Sequence, residues 1–239
     1  MSRNLVSVIL LTWGILLERK FEEENLRMMK WLNNYNNWLY LNIRGFLGHK
    51  ILEVGAGFGA LTSYLISKTR VVISIDKNAS NNDRGLKIER FDIEKDDVKK
   101  MFGEFDTIVC INVLEHIKNQ KKAISNMYKC LKKGGNLILI VPAIKWLYGT
   151  IDKADNHYRR YGKVEIKTLV EGCGFDIKQI KYMNFLGILG WIYHNKIRKL
   201  NIHDESDLIR FDSFVPLISV IEKLFPPPLG LILIIVGVK

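Results

Sequence analysis

Lys50-Ile51-Leu52-Glu53-Val54-Gly55-Ala56-Gly57-Phe58-Gly59 is the stretch whose reading decides the fold. Ile51 to Val54 is apolar apart from one acid and lacks the alternation of a strand with one wet face. Such runs are strands buried on both faces, as in parallel sheets. The glycines that follow let the backbone turn sharply and let a ligand approach without meeting a Cβ. A second apolar run, Val71 to Ile75, ends in Asp76, 21 residues after Gly55. A carboxylate at the tip of that neighbouring strand can accept both hydroxyls of a ribose.

Outward from this pair the pattern repeats. Leu86 to Phe91, Phe105 to Ile111 and Asn136 to Val141 read as strands. Leu61 to Lys68, Asp96 to Phe102 and Lys118 to Leu131 read as helices, and Asn78 to Gly85 as a polar turn region. Lys132-Lys133-Gly134-Gly135 reads as a helix stop. Upstream, Leu26, Met29, Leu32, Tyr35, Trp38 and Leu39 recur at helical spacing and predict a helix over 21–47. Downstream come a helix (Lys163 to Gly172), a strand (Phe175 to Lys181) and a last strand (Leu231 to Val238). Strands alternating with helices imply an α/β fold with a mostly parallel, seven-stranded sheet. About fifty residues between the last two strands exceed any simple crossover and are expected to have a job of their own.

Composition is that of a globular chain, with 48% hydrophobic and 26% charged residues. Three cysteines at spacings that match no zinc pattern (Cys110, Cys130, Cys173) read as reduced thiols of a cytoplasmic protein, with Cys110 in the core; no metal is expected. The net charge of +11 invites nucleic acid or an anionic membrane, against the plainer reading of solvated lysine-rich faces. Leu5 to Leu17 is apolar, but its 13 residues fall short of the roughly 20 that span a bilayer, and no cleavage site follows. It is expected to be a packed or peripheral segment, and Met28 or Met29 is an alternative start.

The Gly55 loop and Asp76 fit two cofactors. A nicotinamide dinucleotide needs Gly-x-Gly-x-x-Gly to seat a pyrophosphate, and here the third glycine is Gly59, with Ala60 in the required place. Glu53 before the loop suits an ammonium and a sulfonium better than a phosphate.

On these residues the chain resembles the class I S-adenosyl-L-methionine-dependent methyltransferases, over roughly 30–183. Glu53 to Gly59 is similar to their first motif and Ile75-Asp76 to their second. Phe91-Asp92-Ile93, Phe105 to His116 and Leu131 to Leu139 resemble those that follow. The resemblance implies that Asp76, beside Lys77, holds the ribose, and that Asp92 and Ile93 meet the adenine. Asn112 and Leu114 would flank the cofactor, with Glu53, Gly55, Ala56, Gly57 and Gly59 around the methionine part. Asp92 as a turn residue, His116 as a packing residue, and Tyr35 and Trp38 as lid or helix core are the alternatives beside it.

Methyl transfer to a hydroxyl needs a proton acceptor, and histidine is the usual one. His157 lies in Asp152-Lys153-Ala154-Asp155-Asn156-His157-Tyr158-Arg159-Arg160-Tyr161, just past the fifth strand. This segment resembles one in small-molecule methyltransferases of the ubiquinone-pathway and glycan-associated kind. His157 is either base or loop anchor. Tyr158, Arg160, Tyr161 and His116 are candidates for substrate binding, with Arg159 and Arg160 gripping an anion or pairing with Asp152 and Asp155.

The expected organisation is a peripheral segment at 1–29, a core at 30–183, a helical cap at 184–229 and a closing strand at 230–239. Within the cap, 185–200 combines aromatics with Lys196, Arg198 and Lys199, a composition open to a pocket wall, a membrane interface or a homodimer contact. The reading is methyl transfer from S-adenosyl-L-methionine, leaving S-adenosyl-L-homocysteine, to a hydroxyl on a small molecule or a lipid- or glycan-linked acceptor. Nucleic acid fits poorly, because Asn112-Val113-Leu114-Glu115 stands where amino-methylating enzymes of that kind carry Asn/Asp-Pro-Pro-aromatic. The location expected is cytoplasmic, or peripheral at the inner membrane surface.

Overall fold

The computed structural model describes residues 24, 27–29, 31–78, 86–200 and 205–239. The Leu5 to Leu17 run and the 79–85 part of the polar turn region lie outside the described residues. Seven strands form one sheet: β1 (Lys50–Val54), β2 (Val71–Asp76), β3 (Ile88–Arg90), β4 (Phe105–Ile111), β5 (Leu131–Pro142), β6 (Asp176–Met183) and β7 (Ile232–Val238). Their order across the sheet is β3-β2-β1-β4-β5-β7-β6. β1 to β5 pair in parallel, while β7 runs antiparallel to both β5 and β6. The order reverses between β1 and β4, and the loops leaving those two strands therefore face one crevice, where ligands of open α/β sheets bind.

The central strands are buried on both faces, as their unbroken apolar character predicts. Leu52, Ile108, Leu137 and Leu139 point into one layer with α3 (Gln120–Cys130) and α5 (Lys163–Glu171), where Phe175 and Tyr161 also sit. Ile51, Val109, Ile138 and Ile140 point into the other, against α1 (Asn33–Ile43) and α7 (Glu205–Leu224). Cys110 lies in the first layer, and burial pushes its thiol up, beyond reach of a thiolate.

Several boundaries differ from the sequence reading. Instead of running unbroken over 21–47, the helix is interrupted at Leu32 (ψ 73°), so α1 starts at Asn33. Its first amides find a distant acceptor: Asp212 of α7 receives Tyr35 N–H at 2.8 Å and Asn34 N–H at 3.2 Å. The helix over Leu61 to Lys68 shrinks to α2 (Thr62–Leu65), and Asp96 to Phe102 holds only the 3-10 turn Lys99–Met101. Lys132 to Gly135 is not a helix stop. α3 ends at Cys130, Leu131 is already extended, and the register of β5 against β4 jumps between Leu131 and Asn136. The glycines accommodate that irregularity, Gly134 at φ +79°.

Two short elements complete the site side. α4 (Thr150–Ala154) follows β5, and α6 (Gly187–Trp191) runs into a π-helical turn, Ile192–Ile197. α6, the π turn and α7 fall within the 184–229 segment expected as a cap.

Candidate active site

The glycine loop closes on β2. Gly55 and Ala56 N–H both donate to the Ile75 carbonyl, at 2.8 and 3.1 Å. Gly55, Gly57 and Gly59 all have positive φ. A Cβ on Gly55 would stand 2.0 Å from Val113 Cγ2, so the loop after β1 packs directly on the loop after β4. Asp76 receives Gly57 N–H at 2.9 Å on Oδ2 and Asn78 N–H at 2.8 Å on Oδ1. Each oxygen keeps accepting capacity, and the carboxylate is only half-buried, so it can still take a pair of hydroxyls. Lys77 beside it is exposed.

Glu53 sits deeper than its assigned role by the methionine part. It is buried, and its Oε2 receives the hydroxyls of Thr62 and Ser74, both at 2.7 Å, bracing β1 against α2 and β2. Burial raises its pKa, against the pull of those two hydroxyls. Asp92 is a turn residue: its Oδ1 receives Glu94 N–H at 2.9 Å and Lys95 N–H at 3.3 Å, and Oδ2 faces Lys95 Nζ at 3.5 Å. Ile93 is buried, its carbonyl held by Asn126.

Asn112 leaves β4 at φ +50° with its N–H on the Ile140 carbonyl, and it opens onto a cavity of ≈ 270 Å³. Leu114, by contrast, is wholly buried beneath it. The cavity lies between the strand tips and the cap. Glu115, His116, His157 and Arg160 line it from the core, Tyr35 from α1, Trp191 from α6, and Leu208 and Phe211 from α7. Trp38 is in the core instead.

At one end stands a cluster of ionisable groups. Asp152, fully buried, accepts from His157 Nδ1 at 2.9 Å, Arg160 Nε at 2.8 Å and Gly149 N–H at 3.0 Å. Burial opposes its charge, but those bonds and the two cations hold its pKa below the usual carboxylate range. Burial likewise opposes a charged His157, yet the Asp152 hydrogen bond and the nearby carboxylates of Glu115 and Asp155 carry its pKa above the ordinary value. His116 meets His157 edge to face at 4.6 Å, and its pKa falls well below the ordinary value through burial, then through the His157 charge. Arg160 also donates to the Ala143 carbonyl and lies 4.1 Å over the Trp191 ring, tying the cap to the cluster.

Two of the expected substrate contacts point elsewhere. Tyr161 is wholly buried, its hydroxyl on Gln120 at 2.9 Å, and Tyr158 is exposed, stacked under Arg159. Neither lines the cavity, because the Tyr158 N–H is pinned to the Glu115 carbonyl and the Tyr161 backbone to β5. Arg160 takes the carboxylate-pairing alternative with Asp152.

Glu115 is the residue the sequence reading passed over. It is fully buried, neither carboxylate oxygen has a hydrogen-bond partner, and burial pushes its pKa up to about 7. One ligand atom each from Glu115, His116 and His157 lies within 4.8 Å of the others. The available signal was an acid directly after Val113-Leu114, at the end of an apolar strand.

A doubly wound sheet with a glycine loop after β1, an acid ending β2 and a cavity over β4 is the architecture of the class I methyltransferases. The methyltransferase-domain family profile matches residues 17–180, and the chain belongs to that family. A ubiquinone biosynthesis O-methyltransferase of Rickettsia conorii is 24% identical over 185 residues, covering 68% of this chain and 60% of that protein. The chain therefore spans less than two thirds of that relative's length. Among solved structures, phosphoethanolamine N-methyltransferase 2 of Haemonchus contortus with S-adenosyl-L-methionine superposes with TM-score 0.57 at 18% identity, over 91% of this chain and 57% of that one. A SAM-dependent methyltransferase of Archaeoglobus fulgidus gives 0.55 at 16%, over 85% and 94%. Fold, family and cofactor class are thus those of S-adenosyl-L-methionine-dependent methyltransferases.

Proposed function

We propose that this chain methylates a hydroxyl group on a small molecule or on a lipid- or glycan-linked acceptor. When bound, S-adenosyl-L-methionine supplies a methyl group on a cationic sulfur, displaced in line by the acceptor oxygen. The chain's own part is positioning and proton removal. Asp76 would hold the ribose hydroxyls, for which its two loop amides pre-set the carboxylate. The Gly55 bend and Asn112 would flank the rest of the cofactor, with Leu114 supporting them from below.

The observation that carries the reading is His157 on the cavity wall, held from behind by the buried Asp152. With Nδ1 committed to Asp152, Nε2 is left to take the hydroxyl proton, and the carboxylate steadies the ring as it becomes charged. Aligning oxygen and methyl supplies most of the acceleration (roughly 7–11 kcal/mol at best), and the base adds about 10²–10⁴-fold. The cavity wall contributed by Trp191, Leu208 and Phe211 suits an acceptor with an apolar portion.

The test is transfer of labelled methyl from S-adenosyl-L-methionine into a cell extract, with the product identified by mass spectrometry. An O-methyl product, lost in His157→Ala while S-adenosyl-L-homocysteine uptake stays intact, is expected. An N-methyl product, or full activity in His157→Ala, overturns the proposal.

A further inference from the structure

The cap has an inner face that walls the cavity and an outer face that covers none of the described residues. On α7, Leu217 is followed three and four residues on by Val220 and Ile221, and these by Leu224; together with Ile209 and Phe214 they are 48–67% exposed. Val215 and Ile218, on the opposite side, are buried against the sheet. Leu189 of α6 and Ile197 of the π turn are exposed as well. An apolar outward stripe of this length on a monomer marks an interaction surface.

The charges of the cap separate in the same sense. Asp212 turns inward to cap α1, and Glu222 turns inward to receive Asn184 and Phe185 N–H at 3.0 and 2.7 Å. Asp207 lies among His194, Arg198 and Arg210. Glu205, at the first position of α7, is its remaining acid. Outward stand Lys199 and Lys223, both exposed, with Arg210, which also reaches Asp207, while the Lys196 ammonium is held by the Tyr148 carbonyl. An apolar stripe edged by cations, with three of the four acids of the helix engaged by other groups, is complementary to an anionic lipid surface. A second copy of the chain fits less well, since a two-fold contact would set the same cations against each other.

We infer that the outer face of α7 docks on an anionic lipid bilayer. The other side of the same helix contributes Leu208 and Phe211 to the cavity, so docking would set the methyl acceptor site beside the membrane. No helix among the described residues is long and apolar enough to cross a membrane, and the contact is therefore one of surface lying, not spanning. That the docked enzyme receives a lipid-borne acceptor rests on the hydroxyl reading above, whereas the docking itself does not.

The experiment is co-sedimentation of the full chain with vesicles of phosphatidylcholine containing about one third phosphatidylglycerol, and with phosphatidylcholine alone. The wild type is expected to partition onto the anionic vesicles and to be released by salt. The double variant Leu217→Glu and Leu224→Glu should lose at least about tenfold in partitioning. Both side chains are exposed, so S-adenosyl-L-homocysteine uptake by calorimetry should be unchanged and certifies the fold. Lys223→Ser should lose about fivefold on anionic vesicles and little on neutral ones. No partitioning of the wild type overturns the inference, as does equal partitioning of the double variant, which would place the contact elsewhere in the chain. A wild-type dimer in sedimentation velocity that the double variant abolishes assigns the face to a second copy and also overturns it. Loss of vesicle binding in the double variant with methyl transfer to a soluble hydroxyl intact leaves the acceptor reading standing; an N-methyl product with binding intact does the reverse.

Discussion

Replacing Glu115 with glutamine should change how stability depends on pH, and the size of the change follows from the site. The Glu115 carboxyl is wholly buried without a hydrogen-bond partner, and burial lifts its pKa from 4.5 to about 7, partly offset by the His157 and Arg160 charges. The folded state therefore holds a proton that the unfolded chain releases. A group of this kind contributes fully below its unfolded pKa, and the contribution is lost as pH rises through the folded value. Between those limits, from 4.5 to about 7, the shift corresponds to about 3 kcal/mol of native stability. Glutamine has nearly the same shape and does not ionise. Its buried amide adds a penalty of its own (about 1–3 kcal/mol), but one that does not vary with pH. In urea titrations, the unfolding free energy of Glu115→Gln relative to wild type should rise by about 2–3 kcal/mol between about pH 5 and pH 8. A difference that stays flat across that range would refute the reasoning and mean that water or a donor reaches the carboxyl.

Other changes test other parts of the site. Asp76→Ala removes a charge-assisted pair of hydroxyl acceptors and should weaken S-adenosyl-L-homocysteine binding by about 100-fold in calorimetry, and undiminished binding would dismiss the ribose role. Asp152→Asn takes away the strongest influence raising the His157 pKa, so the low-pH limb of the rate profile should move to lower pH while the rate falls by about 10²–10⁴. An unmoved limb would separate His157 from proton transfer. Gly55→Ala forces a side chain onto a backbone at φ +78° and into Val113, and should lower unfolding stability by at least about 2 kcal/mol; a neutral outcome would mean that the two loops slide apart freely. The proposed mechanism uses no metal, so chelator treatment should change the transfer rate by less than about twofold, and a larger loss would turn the Glu115, His116 and His157 cluster into a cation site.

The sheet was legible because its strands are buried on both faces, which leaves runs such as Leu137 to Val141 free of polar residues. The glycine loop and Asp76 were legible because a backbone demand and a chemical demand coincide at fixed spacing. Helix limits were harder. Nothing in the period of Leu26 to Leu39 marks Leu32 as a break, since the acceptor for the first turn of α1 is Asp212, remote in the chain. Lys132 to Gly135 shows the same ambiguity, because glycine serves a bulge as readily as a helix end. The cluster was only half visible. Histidines attract a chemical reading, and His157 and Arg160 do reach the cavity. Glu115 looked like one more charge, and its isolation comes from the tertiary packing of the segment from Asp152 to Tyr161 over it. Tyr158 and Tyr161 lie outside the cavity because the chain after α4 sends neighbouring side chains to different surroundings.

The place of β7 between β5 and β6 bears on synthesis as well as on shape. When β6 emerges from the ribosome, neither of its edges has a mate, and the whole cap must be made before the strand that joins it to β5 exists. Until then the nascent chain carries an open, partly apolar ribbon, the kind of edge that attracts wrong pairings and chaperones. Closure by β7 comes in one late event, pairing antiparallel on both sides at once. Slowing translation across the cap should therefore lengthen the window of aggregation without altering the stability of the finished enzyme.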